Sequence, residues 1–441
     1  MGRIGFLADD LTGAADVLAQ AHARGLDAVL SLDPAGGLPS SGDVVGIAGP
    51  TRSLEGRELE EAIDSGLAPF SSMELDVFLY KVCSTFDSSP TTGSIGCAIE
   101  RLAAHWPDAG GIPVVPAQPE FGRYTAFSQH FGSYGNSLYR LDRHPVMSRH
   151  PSTPMREADL RLVLREQAPE LEISEIHLPA FTDGSFAAEW ADRRSRRGAF
   201  VVDAVAPRHL DEVARALLDS SGTALVVGSG GIMAGLARTL ADGNGAADGR
   251  SVGVDADPSP GPAASGPVLA VSASASATTA AQISDALQHG WVGVEVPPGA
   301  IGRRPEGDWW HRVLSALEAG EHVVAHTANG PEDPRLRERR VSSREVGGLL
   351  AEVAAAAVER GLTRDVAIFG GDSSSHALLG LNVSELRVTE QFVTAGPICA
   401  ADAASDVAGC RLLLKGGQVG PTDILRRFAG TPARTERWES S

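Results

Sequence analysis

"FLADDLTGAADVLAQ", residues 6–20, runs from the end of an apolar stretch into a helical pattern. Residues 4–8 are apolar and predict a buried strand, and Thr12-Gly13 is typical of a turn. Residues 14–24 carry small and apolar side chains at helical spacing. A buried strand that passes straight into a helix predicts an open α/β sheet, in which ligands bind beyond the carboxyl ends of the strands.

Two acidic residues, Asp9 and Asp10, stand where this strand ends. In the simpler interpretation, one of them caps the helix and the other is a solvated loop residue. In the other, a carboxylate at the ligand-binding edge of the sheet takes part in chemistry. Taken alone, the two residues favour the simpler interpretation. Only further motifs elsewhere in the chain can favour a chemical role.

Length and composition limit the class of protein. A chain of 441 residues predicts two domains, and 43% hydrophobic with 21% charged residues is typical of a globular protein. The net charge of −18 argues against nucleic acid or an anionic membrane as partner. It leaves room for one small anionic substrate that a few local cations hold.

The start of the chain and its cysteines predict a cytoplasmic protein. "MGRIGFLADD" lacks the pattern of a signal peptide, and no apolar stretch reaches membrane-spanning length. The four cysteines, Cys83, Cys97, Cys399 and Cys410, show neither CxxC nor zinc-site spacing. We therefore expect free thiols in a reducing compartment.

Strand and helix patterns alternate along most of the chain, which is the rhythm of parallel sheets covered by helices. Strands are predicted at 44–48, 77–82, 112–117, 199–204, 223–227, 267–274, 322–327 and 366–370. Helices are predicted at 55–68, 93–104, 157–168, 209–220, 231–241, 278–290 and 344–360. The Gly-, Pro- and Ala-rich stretch 241–266 interrupts the rhythm. We expect two α/β lobes, residues 1–240 and 267–441, with mainly parallel sheets, a linker between them and a cleft for ligands.

The second predicted lobe carries three stretches in which small residues follow a strand: 271–283, 369–380 and 412–425. Helix amino termini and glycine turns are suited to binding phosphate. Three in one lobe predict a nucleotide phosphate site, although no GxxxxGK[ST] motif is present. A fourth stretch, "VGSGGIMA" (227–234), loosely resembles a dinucleotide turn, but no following strand supplies a ribose-binding acid, so a structural turn is favoured.

In the first predicted lobe, cations and hydroxyls follow several strands. These residues are Arg52, Lys81, Ser84, Arg123 and, in a later loop, His150. A single such residue is usually a surface group. Several of them beside Asp9 and Asp10 predict a site for a small, polyhydroxylated, negatively charged molecule.

These motifs together resemble the four-carbon acid sugar kinase family over nearly the whole chain. The matching stretches are "ADDLTGAADV" (8–17), the strand end at Arg52, "PAQPEFGR" (116–123), "TPMREADL" (153–160), "VVGSGG" (226–231), "SASASATTAAQI" (272–283), "GGDSSSHALLG" (370–380) and "LLLKGGQVG" (412–420). The resemblance implies phosphorylation of tetronates or their 3-oxo derivatives by ATP, with the sugar acid in the first lobe and ATP in the second.

The resemblance also implies the site residues. At the substrate it places Asp9 or Asp10, Arg52 and the segment Lys81, Val82, Cys83 and Ser84, next to the candidates Arg123 and His150. At ATP it places Ser272, Ser274, Gly370, Gly371, Asp372, Ser373, Gly416 and Gly417. We expect one of the two acids to hold or deprotonate the acceptor hydroxyl and the other to cap the helix, with a slight preference for Asp10 as the chemical residue and Asp9 as the cap; the sequence does not separate the two. Mg²⁺ should bridge the ATP phosphates, with Asp372 as its candidate ligand.

Three departures from the family pattern bear on the substrate and the nucleotide. Cys83 stands where the family usually has Asp, Ala273-Ser274 replaces a Gly-Ser turn, and Gly371 replaces a frequent Arg. The first departure points away from a simple tetronate and towards a branched acid such as 3-oxo-isoapionate. The alternatives that remain open are an NAD-dependent dehydrogenase and a non-catalytic sugar-acid-binding protein. A homodimer is one assembly to be tested.

Overall fold

The computed structural model describes residues 3–32, 37–39, 41–150, 152–243, 263–338, 341–393, 396–417 and 419–430. The chain forms two compact units, Met1–Ser251 and Val252–Ser441, which we call the N-terminal and C-terminal units. A helix that ends at Gly243 extends three residues into the predicted linker 241–266. Residues 244–262 of that linker lie outside the described residues.

The N-terminal unit alternates strands with helices. Its strands are β1 (Ile4–Ala8), β2 (Ala28–Ser31), β3 (Val44–Ala48), β4 (Val77–Lys81), β5 (Ile112–Val115), β6 (Arg123–Ala126), β7 (Gln129–Tyr134), β8 (Ser137–Arg140), β9 (Ile173–Ile176), β10 (Ala199–Val202) and β11 (Ala224–Gly228). Its helices are α1 (Leu11–His22), α2 (Gly56–Leu67), α3 (Ile95–His105), α4 (Leu160–Gln167), α5 (Ala180–Asp183), α6 (Phe186–Arg194), α7 (Pro207–Leu218) and α8 (Gly230–Gly243).

The main sheet of this unit is parallel, in the order β2-β3-β1-β4-β11-β5-β10-β9. All five residues of β1 are buried, as its apolar sequence predicts. Ala8 lies level with Ala48 and with Lys81, and Lys81 lies level with Gly228. The segments that follow β1, β3, β4 and β11 therefore start at one edge of the sheet.

A glycine lets β3 lie against β1. Gly46 is the register partner of Phe6, and a Cβ atom on Gly46 would lie 2.0 Å from the Phe6 ring. Any larger residue at position 46 would displace this ring, which is fully buried. The small residue in "VVGIA" is thus a packing requirement of the strand that precedes Arg52.

A small antiparallel sheet, β6-β7-β8, was not predicted from the sequence. The turn between β6 and β7 has positive φ at Phe127 (52°) and Ser128 (62°). Both backbone N–H groups donate to the carboxylate of Asp203, at 2.6 and 2.9 Å. A distant acid thus stabilises a turn that usually needs Asn or Gly, and this explains why the sequence showed no hairpin signal.

The C-terminal unit has the same alternation. Its strands are β12 (Val268–Ser272), β13 (Val292–Glu295), β14 (Val323–His326), β15 (Asp365–Phe369), β16 (Glu385–Val393), β17 (Gly396–Ala401) and β18 (Arg411–Lys415). Its helices are α9 (Ala277–Gln288), α10 (Asp308–Glu318), α11 (Arg335–Glu338), α12 (Ser343–Glu359), α13 (Asp372–Gly380) and α14 (Ile424–Ala429).

Its strands follow the order β13-β14-β12-β15-β18-β17-β16. The first five are parallel, whereas β17 is antiparallel to both β18 and β16. Ser272 lies level with Phe369, and Phe369 lies level with Lys415. The three predicted phosphate-binding stretches therefore leave the sheet side by side.

The predicted α/β class with mainly parallel sheets is confirmed in each unit, and the strand predicted at 4–8 and the eight predicted after it are present to within a few residues. The antiparallel pair β16-β17 was missed, since its residues alternate too weakly to predict a strand. The cleft between lobes stays a prediction. Within the described residues, no helix has the length and apolar character that crossing a membrane requires.

Candidate active site and nucleotide site

Asp9, Asp10 and Arg52 form one ionic cluster at the carboxyl edge of the N-terminal sheet. Arg52 lies in a short helical turn, Thr51–Ser53, shortly after β3. Its Nε and Nη2 atoms donate to the two oxygens of Asp9, at 3.0 and 2.8 Å. Its Nη1 atom donates to Oδ2 of Asp10 at 2.6 Å. One guanidinium thus pairs with both acids, so the acids are not separate solvated loop residues.

The helix cap falls on Asp10, and the expectation that Asp9 is the cap is wrong. Oδ1 of Asp10 accepts a hydrogen bond from the backbone N–H of Gly13 at 2.6 Å. The extended backbone of Asp10 (φ −153°, ψ 167°) allows this contact, whereas Asp9 continues the strand direction into the Arg52 pair. Asp10 therefore has two structural partners, and Asp9 has Arg52.

Burial acts on the carboxyl group of Asp9. Its desolvation raises the pKa, the Arg52 charge opposes that change, and the Asp10 charge adds to it. Lys81, the last residue of β4, is only 3% exposed, and its Nζ donates to the carbonyl of Val82 at 3.0 Å. A Cβ atom on Gly13 would lie 3.0 Å from this Nζ and 2.8 Å from Oδ1 of Asp10. Only a glycine leaves this space between the acids and the lysine.

The segment after Lys81 runs alongside the cluster. The thiol of Cys83 lies 2.9 Å from the hydroxyl of Thr85, which donates to Asp87 at 2.7 Å. Burial and the Asp87 charge raise the pKa of Cys83 to about 11, against the opposing charges of Arg52 and Lys81. The thiol is therefore neutral at pH 7, and position 83 adds no charge to the cluster.

His130 on β7 was missed by the sequence analysis. Its Nε2 donates to the carbonyl of Ser84 at 2.8 Å, and its Nδ1 lies 2.9 Å from the hydroxyl of Thr125. The residue is fully buried, and burial lowers its pKa to about 4. A neutral His130 thus anchors the segment that contains Lys81 and Ser84. No sequence motif marks it, because the contact depends on the unpredicted hairpin.

The last two substrate candidates lie in different surroundings. Arg123, on β6, donates through Nη1 to the carbonyls of Phe121 and Ser133, at 2.9 and 3.3 Å, and its buried Nε has no partner. Burial lowers the pKa of Arg123, and its electrostatic interaction with the segment of Cys83 and Asp87 opposes that change, so Arg123 lies towards this segment. His150 bonds within its own loop, through Nδ1 to Thr153 at 2.8 Å.

The glycines of "VGSGGIMA" serve packing. A Cβ atom on Gly230 would lie 2.0 Å from the carboxylate of Asp16, and one on Gly231 would lie 2.2 Å from the carbonyl of Ala117. The hydroxyl of Ser229 donates to this same carbonyl at 3.1 Å. Protein atoms therefore occupy the space that a dinucleotide pyrophosphate would need, which supports the structural interpretation of the turn.

In the C-terminal unit, the stretches after β12 and β18 meet. Ser276 caps α9 by accepting from the N–H of Thr279 at 3.0 Å, and its hydroxyl also donates to the carbonyl of Gly417. A Cβ atom on Gly417 would lie 2.7 Å from the hydroxyl oxygen of Ser274. The predicted ATP residues Ser272, Ser274, Gly416 and Gly417 thus lie together, and the glycine permits the close approach.

The stretch after β15 completes this edge. Gly370 has φ 155°, and a Cβ atom there would lie 2.4 Å from the hydroxyl oxygen of Ser373. The next turn begins α13, and the hydroxyl of Ser374 donates to the carbonyl of Gly370 at 2.9 Å. The side chain of Asp372 lies outside what the structure describes, so its role at Mg²⁺ stays a prediction. Among the described residues, no group of three or more His, Cys, Asp or Glu side chains could hold a metal.

A fourth strand end at this edge was not singled out from the sequence. His326, the last residue of β14, lies level with Ser272. The loop after His326 approaches α9, since a Cβ atom on Gly330 would lie 3.4 Å from the side chain of Ala280. Arg335 holds the loop by donating to the carbonyl of His326 at 3.1 Å and to both oxygens of Asp333. The sequence signal, "HTANG" at 326–330, is a strand followed by turn residues.

Family models match both units. A sugar-binding N-terminal domain matches residues 4–236, and a nucleotide-binding C-terminal domain matches residues 269–425. The chain is therefore a two-domain protein of the sugar-binding and nucleotide-binding class. It belongs to the family that its motifs resemble, the four-carbon acid sugar kinases.

Similar proteins span nearly the whole chain. A 3-oxo-isoapionate kinase from Paraburkholderia graminis is 33% identical over 95% of this chain and 92% of the relative. A 3-oxo-tetronate kinase from Cupriavidus necator is 30% identical over 97% of each. A 3-oxo-tetronate kinase from Methylobacterium radiotolerans is 28% identical over 96% of this chain and 98% of the relative.

Solved structures share the fold. A protein from Salmonella typhimurium LT2 superposes with a TM-score of 0.77 at 24% identity, covering 97% of this chain and 98% of its own. A protein from Haemophilus influenzae superposes with a TM-score of 0.72 at 22% identity, covering 97% and 99%. At these identities the likeness concerns the fold alone.

Proposed function

We propose that this protein transfers the γ-phosphoryl group of ATP to a hydroxyl of a small 3-oxo sugar acid. The observation that carries the proposal is the Asp9–Arg52–Asp10 cluster at the carboxyl edge of the domain that matches a sugar-binding family. Sequence relatives named as kinases of 3-oxo sugar acids support the reaction class. The nucleotide-binding family match of the second unit supports ATP as the donor.

In the proposed reaction, Asp9 accepts the proton of the acceptor hydroxyl. The hydroxyl oxygen forms a bond to the γ-phosphorus, the bond from that phosphorus to the bridging oxygen breaks, and ADP leaves with the electron pair. The cap on Asp10 and the raised pKa of Asp9 favour Asp9 over Asp10 as the proton acceptor. Arg52 would orient the acceptor carboxylate and stabilise its charge before the proton arrives.

The substrate carboxylate requires cationic donors that the cluster does not use up. Three of the five N–H donors of Arg52 bond to the two acids, which leaves two. Lys81 uses one of its three donors on Val82. We propose that these remaining donors hold the substrate carboxylate, with Arg123 and Ser84 at the sugar hydroxyls.

Position 83 supports a more specific proposal for the sugar-acid substrate. A neutral thiol there adds no negative charge beside Arg52, as a carboxylate at this position would. We propose a branched substrate of the 3-oxo-isoapionate type, as in the Paraburkholderia graminis relative.

Mg²⁺ would neutralise the ATP phosphates, held mainly by those phosphates with Asp372 as the protein ligand. The four cysteines are free, in keeping with a cytoplasmic enzyme, and the homodimer stays a prediction.

An ATP-consumption screen over four-carbon and branched five-carbon sugar acids and their 3-oxo forms tests this function. We expect ADP release with at least one 3-oxo acid, and fastest release with a branched one. Reactions without acid measure background hydrolysis, and parallel reactions with NAD⁺ test the dehydrogenase alternative. Hydride transfer without ADP release would contradict the proposal, and ligand binding without turnover would favour a sugar-acid-binding protein.

A further inference from the structure

Lys415 is a buried lysine at the edge of the C-terminal sheet where the stretches after β12, β15 and β18 begin. It ends β18 level with Phe369 and is 3% exposed. Its Nζ donates to the hydroxyl of Thr279 at 3.1 Å and to the carbonyl of Gly416 at 3.0 Å, and it lies 4.3 Å from the centre of the Phe369 ring. These partners are neutral, so they satisfy hydrogen bonds without balancing the charge.

Two described carboxylates on the elements around Lys415 already have cationic partners. The described strands and helix α9 that pack around Lys415 carry Asp365, on β15, and Asp285, on α9. Asp365 pairs with Arg411 at 2.7 Å, and Asp285 pairs with Arg426 at 2.7 Å. Burial lowers the pKa of Lys415 to about 7.

Lys81 provides a comparison within the same chain. It also ends a parallel strand, is also 3% exposed and also donates to the carbonyl of the next residue. Lys81, however, has the Asp9 charge acting close by. The lysine of the sugar-binding unit thus faces acids, whereas the lysine of the nucleotide unit faces hydroxyls, glycines and an aromatic ring.

We propose that Lys415 is a phosphate-binding residue of the nucleotide site, whose remaining N–H donates to a phosphoryl oxygen of ATP. This inference rests on the proposed ATP-dependent function. An uncompensated buried cation costs stability, and a methionine of similar volume would avoid that cost. An anionic ligand explains why a lysine is present, because its charge supplies the missing partner. Ser274 and Gly417 lie on the same edge and leave a polar surface for phosphate.

Calorimetric titration of the full-length chain with ATP and with adenosine tests the inference. In Lys415→Met we expect ATP affinity to fall roughly 10- to 100-fold, the usual worth of a hydrogen bond to a charged group. Adenosine affinity should not change, because adenosine carries no phosphate. Arg57→Gln, at an exposed ion pair of the N-terminal unit, is the control and should bind ATP as the wild type does. Thermal unfolding without ligand should show Lys415→Met at least as stable as the wild type.

Unchanged ATP affinity in Lys415→Met would overturn the inference while leaving the proposed function intact. Equal losses for ATP and adenosine, together with a lower melting temperature, would also overturn it by showing a structural role. If Lys415→Met does not fold, Lys415→Gln is measured in the same way. A ratio of ATP affinity to adenosine affinity equal to that of the wild type would then overturn the inference, and a lower ratio would support it. Failure of the wild type itself to bind ATP would instead contradict the proposed function.

Discussion

Arg52 binds Asp9 through both carboxylate oxygens, with Nε 3.0 Å from Oδ2 and Nη2 2.8 Å from Oδ1. The same guanidinium reaches Asp10 at 2.6 Å. Two acids that follow each other in the sequence therefore share one cation, which the next strand of the sheet supplies. The Arg52 charge opposes the rise in the pKa of Asp9 that burial causes, and so favours the ionised form that a proton acceptor needs.

Removing this cation should destabilise the protein in a pH-dependent way. Arg52→Gln leaves two adjacent, largely buried carboxylates unpaired, and we expect a loss on the order of 3 kcal/mol in unfolding free energy at pH 7.5. Burial and the Asp10 charge raise the pKa of Asp9, and without the opposing Arg52 charge that rise is larger, so protonation of Asp9 relieves the loss as the pH falls towards 4.5. Urea unfolding at both pH values measures this.

The control for that experiment is Arg57→Gln. Arg57 pairs with Glu61 at 2.7 Å on an exposed helix face, with side chains 88% and 62% exposed. Its loss should cost less than about 1 kcal/mol at either pH. An equally large loss for Arg52→Gln at pH 7.5 and 4.5 would show that the acids are not the reason for the instability.

His130 should position the substrate-binding segment. His130→Ala removes the donor to the Ser84 carbonyl, and we expect a higher KM for the sugar acid, an unchanged KM for ATP and a stability loss of about 1–3 kcal/mol. His130→Gln, which keeps an N–H donor, should restore part of the sugar-acid KM. Equal changes in both KM values would point to general unfolding instead.

The same histidine predicts a pH dependence of stability. Its folded pKa of about 4 lies below the ordinary value of 6.5, so the unfolded chain binds a proton that the folded chain rejects. The stability of the wild type should therefore fall as the pH drops from about 6.5 towards 4. His130→Gln should lose part of that slope, which a series of urea titrations measures.

ATP affinity should depend on the protonation of Lys415. Because burial lowers its pKa to about 7, the free enzyme loses this charge as the pH rises through neutrality, and ATP affinity should fall between pH 6 and pH 8.5. Lys415→Arg keeps its charge over this range, so the ratio of wild-type to variant affinity cancels the ionisation of ATP itself. A ratio that is constant with pH would contradict this prediction.

Much of the fold was accessible from the sequence because buried parallel strands and amphipathic helices have strong, local patterns. The runs at 44–48 and 366–370 are examples, found as β3 and β15. The hairpin at Phe127-Ser128 was not accessible, because Asp203, distant in the sequence, stabilises its turn. A local sequence pattern cannot predict such a contact, because the two partners are far apart in the chain.

The sequence predicted which residues belong to the candidate site, but not which of them bond to one another. Asp9, Asp10, Arg52 and Lys81 were found because each lies at or shortly after the end of a predicted strand. The sequence could not show which acid caps α1, because both are aspartates that precede the helix and an aspartate caps well at either position. The burial of Lys415 was equally hidden, because a lysine at a strand end is usually solvated.

The most direct test of the account is the rate of phosphoryl transfer in Asp9→Asn, measured by rapid quench with saturating ATP and the best sugar acid. We predict that the rate of product formation falls roughly 10²–10⁴-fold, the usual contribution of a positioned general base. ATP affinity and melting temperature should stay close to those of the wild type. Asp10→Asn is the matched control and should retain more activity, since Asn preserves the helix cap. Wild-type rates in Asp9→Asn would contradict the assignment of Asp9 as the proton acceptor.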